Sequence, residues 1–149
     1  MVSNDPIRLF IAHTFVEHDD FYKVVEYIQS KESFLYVNTA SLINPGGTDK
    51  ATQEELRKQI GLAEIVIVPV NIYKSNPELV DHQLRMAESF GLKVLALRPF
   101  GVDATLPQEL RNCCAEVVEW EPRRIINSIK KLARNVRIPE YEVVEFTLE

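Results

Sequence analysis

Seven side chains of this sequence could do chemistry together if the fold brings them to one place. They are His13, Thr14 and Phe15, then Asn71, Tyr73 and Ser75, and finally Gln83. The first group ends or follows an apolar run over Ile7–His13, and the second ends or follows another over Glu64–Asn71. Gln83 lies in the segment that opens at Pro77. If both runs are parallel strands, all seven gather near the carboxyl edge of a sheet, where open α/β folds place their ligands. Backbone N–H groups at the start of the following helices favour phosphate there. Glutamine can donate and accept hydrogen bonds but carries no charge, so at such an edge it is equipped to hold a polar group rather than to act as an acid or base. A plainer expectation stands beside this one. His13 and Thr14 would cap a strand end through local hydrogen bonds, Tyr73 would pack, and Gln83 would be a boundary residue of a helix.

The elements that must position these residues are legible from pattern. After the first strand, Asp19 and Asp20 head a helix whose apolar face is Phe21, Val24, Val25 and Ile28, the i, i+3, i+4, i+7 spacing. Phe34–Asn38 is a short second strand, and Asn44-Pro45-Gly46-Gly47 is a loop. Thr52 and Glu55 match a capping box, although the second helix can begin as early as Asp49. Glu64–Asn71 is a near-unbroken apolar strand. Ser75-Asn76-Pro77 then opens a helix, with a capping side chain before a proline at the first helical position. Gly91 closes that helix, and Lys93–Arg98 is a second buried strand. A short helix over Leu106–Asn112, a strand over Ala115–Trp120 and a helix from Pro122 complete the domain. Strict alternation of strand and helix predicts a doubly wound α/β domain. Right-handed crossovers give a flavodoxin-like parallel sheet of five strands ordered 2-1-3-4-5. The domain is expected over residues 1–134, and 135–149 form an extension. There Val144, Phe146 and Leu148 alternate with Glu145, Thr147 and Glu149, the period of a half-buried strand; a frayed terminus is the alternative.

Composition narrows the function. With 149 residues the chain is long enough to bury roughly 70% of its unfolded surface in one domain. A net charge of −5 disfavours nonspecific binding to nucleic acid or an anionic membrane. Arg123, Arg124, Lys130, Lys131, Arg134 and Arg137 read as the solvated face of the last helix. No apolar run approaches the ~18 residues that span a bilayer, and the first residues do not have the form of a signal peptide. Cys113 and Cys114 are adjacent, poorly placed for a structural disulfide, and His13, His18 and His82 show no metal-ligand spacing. A cytoplasmic protein without a metal is expected.

Other doubly wound families fit poorly. The loop after the first strand, His13-Thr14-Phe15-Val16-Glu17, has no glycine for a flavin phosphate. The third strand ends in Val70-Asn71 rather than the aspartate of a phospho-receiver domain. No glycine-rich nucleotide-binding fingerprint is present. The chain instead resembles the TIR-like family associated with the Thoeris anti-phage system. Phe10-Ile11-Ala12-His13-Thr14-Phe15 is similar to the phrase that ends that family's first strand. Glu54–Ile60 and Ala63–Val68 look like its second helix and third strand. Tyr73 and Ser75 match the tyrosine and serine before its third helix. Ala87, Gly91, Arg98-Pro99-Phe100-Gly101 and Val117–Trp120 match later positions, so that the likeness covers about residues 7 to 134.

The resemblance implies a domain that acts on NAD or binds it. Active members cleave the nicotinamide–ribose bond, and a carboxylate stabilises the oxocarbenium-like centre. Their glutamate lies four residues before the alanine that here is Ala87, a position held by Gln83; Leu79 replaces the family's tryptophan. A unit charge at ~4 Å is worth about 4 kcal/mol at an effective dielectric of ~20, roughly a thousandfold in rate. At 100° per residue, Glu78, Asp81 and Glu88 point away from Gln83, so the helix is expected to offer no replacement acid. A signalling domain in bacterial defence or stress follows, binding a nucleotide ligand, self-associating, and engaging a protein effector. The alternatives are an active NAD hydrolase or cyclase using a carboxylate from elsewhere, or an enzyme like the nucleoside deoxyribosyltransferases.

Overall fold

A computed structural model describes residues 5–31, 34–46, 49–98 and 106–134. Five strands form one parallel sheet: β1 (Ile7–Ile11), β2 (Tyr36–Asn38), β3 (Ile65–Pro69), β4 (Lys93–Leu97) and β5 (Glu116–Val118). Their order is β2-β1-β3-β4-β5, as the alternation predicts. The central strands read as continuous apolar runs because both their faces are covered. All five residues of β3 are buried, and in β1 only Arg8 is exposed. The register sets Ile11 against Ile67 and Val68 against Ala96.

Among the described residues the helices are α1 (Asp19–Gln29), α2 (Asp49–Gly61), α3 (Val70–Ser75), α4 (Pro77–Ser89), α5 (Gln108–Cys113) and α6 (Pro122–Arg134). Helix α1 packs beside α6, and α2 beside α4. In α1 the buried stripe is Phe21, Val24 and Ile28; in α6 it is Ile125 and Ile129, with Ile126 and Ser128 beside them. The described start of α2 is Asp49, so Thr52 and Glu55 lie inside the helix rather than capping it, and Glu55 accepts from Gln59 Nε2 instead.

The β3–β4 connection departs from the simple alternation. The strand stops at Pro69, which has no N–H to extend a ladder, and Val70–Ser75 form a short helix of their own. Asn76 separates it from α4. Its side-chain oxygen accepts from Leu79 N at 3.2 Å, and Pro77 takes the first position of α4. Gly91 ends the connection at φ +72°, a region in which a Cβ is strained. Strands β2 and β5 are also shorter than their apolar runs suggest. The extension over 135–149, with its alternating residues, lies outside the described residues.

Candidate functional site

A cleft of about 420 Å³ opens beside the carboxyl edge of the sheet. Thr14 and Phe15 line it from the loop after β1. Asn44 and the first turns of α2 (Asp49, Thr52, Gln53, Leu56) form a second wall. Asn76 with Glu78, Leu79 and His82 of α4 forms the third. Of the seven residues expected to meet, Thr14 and Phe15 line this cleft.

His13 and Gln83 do meet, but inside the protein. Gln83 is fully buried, and its amide grips the backbone of His13 at two points. Its Oε1 accepts from His13 N at 3.2 Å, and its Nε2 donates to His13 O at 2.6 Å. A primary amide is suited to this because it carries a donor and an acceptor side by side, as a peptide group does. His13 stands one residue beyond Ala12, whose N–H still bonds to Ile67 O. Gln83 thus satisfies backbone groups that the ladder leaves behind, which buried polar groups require.

The imidazole of His13, 1% exposed, continues the network. Phe15 N donates to Nδ1 at 3.1 Å, which leaves the proton on Nε2 to be donated to Gln59 Oε1 at 3.0 Å. Gln59 Oε1 also accepts from Ser41 N, while its Nε2 donates to Ser41 O and to Glu55 Oε2. Burial pushes the imidazole pKa below its ordinary value of 6.5, against the opposing effects of the Gln59 bond and the Glu55 charge. The neutral ring is the form that fits, since Nδ1 must accept. One consequence is the shape of Phe15, whose φ of +60° is unusual for a residue with a Cβ. Its N–H bond and an edge-on contact with the His13 ring, at 4.7 Å between centroids, hold it there.

The other expected residues serve the connection rather than the cleft. Asn71 is exposed on α3, because the strand ends two residues earlier than its apolar run. Tyr73 is buried and donates to Asp81 Oδ1 at 2.9 Å, tying α3 to α4. Burial, then the Asp81 bond, push its phenol well above the usual range, so it stays a donor. Ser75 Oγ turns back to Ile72 O at 2.6 Å. The sequence-based expectation that these three line the cleft is corrected by their places on a helix the alternation does not reveal.

A second correction concerns the acids. Glu78 does point away from Gln83, but it points into the cleft, one turn before His82. The helix has two polar exposures, and the cleft meets the one carrying Glu78 and His82. Arg85 Nη2 donates to His82 Nδ1 at 3.1 Å, because guanidinium has no acceptor. These residues, with Asp49 and Gln53, are what sequence reasoning missed; their signal was the i, i+4 spacing of Glu78 and His82 and the polar first turns of α2. The adjacent cysteines are free, with Cys113 exposed and Cys114 half-buried. Among the described residues no group of His, Cys, Asp and Glu could hold a metal ion, and no helix is long and apolar enough to cross a membrane. Compared with known proteins, the chain matches no family model and no curated protein.

Proposed function

We propose that this chain is a TIR-like domain of cytoplasmic defence or stress signalling that binds a nucleotide-class ligand and does not cleave NAD. The observation that carries the proposal is the pair of hydrogen bonds between the Gln83 amide and the His13 backbone. The position at which the resemblance expects a catalytic carboxylate holds a neutral amide with its donor and acceptor both engaged. The cleft offers the Phe15 ring for a base and Thr14, Asn44, Thr52, Gln53 and Asn76 for hydroxyls. Its described lining includes Asp49 and Glu78 and neither lysine nor arginine. Base and ribose are therefore held inside while phosphates turn toward solvent. Occupancy then reaches a partner, a second copy or an effector, through the loop after β1 and the helix starts that form the walls.

Calorimetric titration with adenosine, ADP-ribose and NAD tests the binding, and nicotinamide release tests the chemistry. Phe15→Ala and Thr14→Val are expected to weaken binding at least about tenfold, or ~1.4 kcal/mol. The wild type is expected to release no nicotinamide. Steady release by the wild type overturns the proposal.

One observation favours a second reading, hydrolysis or transfer at a glycosidic bond. Glu78 and Asp49 are carboxylates on facing walls of one cleft, with His82 beside Glu78. Under that reading Glu78→Gln abolishes a release that the wild type shows, and Gln83 contributes only structure.

A further inference from the structure

Among the described residues Phe15 supplies the only phenyl ring of the cleft, and it stands there in a backbone conformation it does not prefer. Its φ of +60° crowds Cβ against the following carbonyl oxygen, a clash that glycine escapes. No other non-glycine residue among those described has a positive φ. Something outside the residue must therefore hold it. The holder is His13, two residues earlier. Phe15 N donates to its Nδ1 at 3.1 Å, and the two rings meet edge to face. His13 itself is buried and lines no part of the cleft.

The imidazole is fixed from several sides. Its backbone is gripped by Gln83 on α4, and its Nε2 donates to Gln59 on α2. Phe10 of β1 and Phe21 of α1 pack against the ring. Among the described residues the charge that acts on it is that of Glu55, on α2. A ring held this way accepts at Nδ1 in one form only, the neutral one. A second proton sets an N–H on Nδ1 opposite the N–H of Phe15, and two donors at that distance exclude each other. Protonation thus removes the bond and leaves the strain. Negative φ is then the lower state for Phe15, and a change of that size carries its ring away from the cleft wall.

We propose that His13 is a positioning residue for the cleft: its neutral imidazole holds the Phe15 ring in place and its protonation withdraws that ring, so ligand affinity follows the charge of a side chain outside the lining. Burial outweighs the Gln59 bond and the Glu55 charge and sets the ring below its ordinary 6.5. The holding form therefore prevails at neutral pH, and affinity is lost on acidification. The coupling is reciprocal, since a ligand that needs the Phe15 ring favours the neutral imidazole and lowers the His13 pKa further. The proposal deepens the reading of the cleft as a nucleotide site and rests on it for the choice of ligand alone.

Nuclear magnetic resonance on the full chain tests this, first without ligand. The N–H to Cα–H coupling and the Cα shift of Phe15 report the sign of φ, and ring-to-ring Overhauser contacts report its place against His13. In the wild type both should change as pH falls, with the midpoint read on the His13 ring carbons, while the β3 amides stay protected. His13→Asn keeps an oxygen acceptor near the place of Nδ1 and cannot be charged, so Phe15 should hold its conformation down to about pH 5. His13→Leu has no acceptor and should release Phe15 at every pH, with the β3 amides again protected. A Phe15 that stays unmoved through the His13 titration, or that leaves in His13→Asn as readily as in His13→Leu, overturns the proposal. Adenosine, which gains no proton in this range, then reads the affinity. Wild-type affinity should fall at least about fivefold from neutral pH to one unit below the His13 midpoint, and that of His13→Asn should not change. An affinity that ignores the moved ring also overturns the proposal. A ring that moves as expected with no adenosine bound at any pH supports the hold of His13 on Phe15 and counts against the nucleotide reading instead.

Discussion

The two edges of the sheet are fastened by opposite chemistry. At the carboxyl edge the fastening is neutral: the Gln83 amide, the His13 imidazole and the Gln59 amide form one buried chain. At the amino edge it is charged. Arg134 Nε and Nη2 donate to the two oxygens of Glu64 at 2.7 and 2.9 Å, and Glu64 also accepts from Arg8 N. Both tie a helix to the strands it covers. The neutral chain avoids the cost of burying ions but fails at any member that changes its donor–acceptor pattern. The charged pair, with side chains 20% and 15% exposed, tolerates rearrangement and responds to salt.

The contrast can be broken most severely at Gln83. Gln83→Glu removes the donor to His13 O and sets a carboxylate against a carbonyl, at an expected cost of about 3 kcal/mol near neutral pH. For a chain of this size that lowers Tm by about 10 °C. The carboxyl pKa is raised in the fold, so the native state holds the proton more tightly and stability should recover as pH falls. Wild type should do the reverse. His13 is depressed below 6.5, its neutral form is native, and stability is lost as pH falls from 6.5 toward the lower folded value. Melting curves of both proteins between pH 5 and 8 should therefore converge on the acid side, about those limits being what the imidazole requires. Parallel curves would mean that the introduced carboxyl does not titrate as described, and a wild-type curve that stays flat below pH 6.5 would mean the same of His13. Gln83→Glu should also gain no nicotinamide release, since the new carboxylate stays under the fold rather than in the cleft.

Smaller effects sharpen the comparison. Arg134→Ala is expected to cost about 2 kcal/mol, and the loss should shrink at high salt, because screening already weakens the wild-type pair. Denaturant unfolding at two salt concentrations checks this; Gln59→Leu, at the neutral edge, should show no such dependence. Asn76→Ala removes the cap on Leu79 N and should cost about 1 kcal/mol. Because Asn76 also lines the cleft, ligand titration should detect its loss as well as thermal melting.

The sheet was legible in the sequence because its signals are local. Apolar runs, the Asn76-Pro77 start and the Gly91 stop each act within a few residues, and crossover handedness does the rest. The end of β3 was not, since Pro69 sits inside a run that stays apolar through Val70, and Ile72 and Tyr73 are buried by a helix rather than by the sheet. The cleft was harder still. The 100° step correctly separates Glu78 from Gln83, yet it does not tell which of two exposures a second helix will face. That depends on α2, whose contribution includes Gln59, 46 residues from the imidazole it receives a bond from. Long-range pairing of uncharged polar groups leaves no periodicity to read.

Gln83 has a consequence for descent. Glutamine and glutamate codons differ by a single base, so a carboxylate at this position is always one mutation away. Yet that mutant loses the grip on His13, and with it the posture of Phe15, before any catalytic benefit can appear. A lineage with this arrangement is held in place by its architecture rather than by scarcity of variants. Placing an acid at this position would first require another partner for the His13 backbone. The identity of one side chain on a helix is thus a poor guide to activity unless the chain opposite it is known.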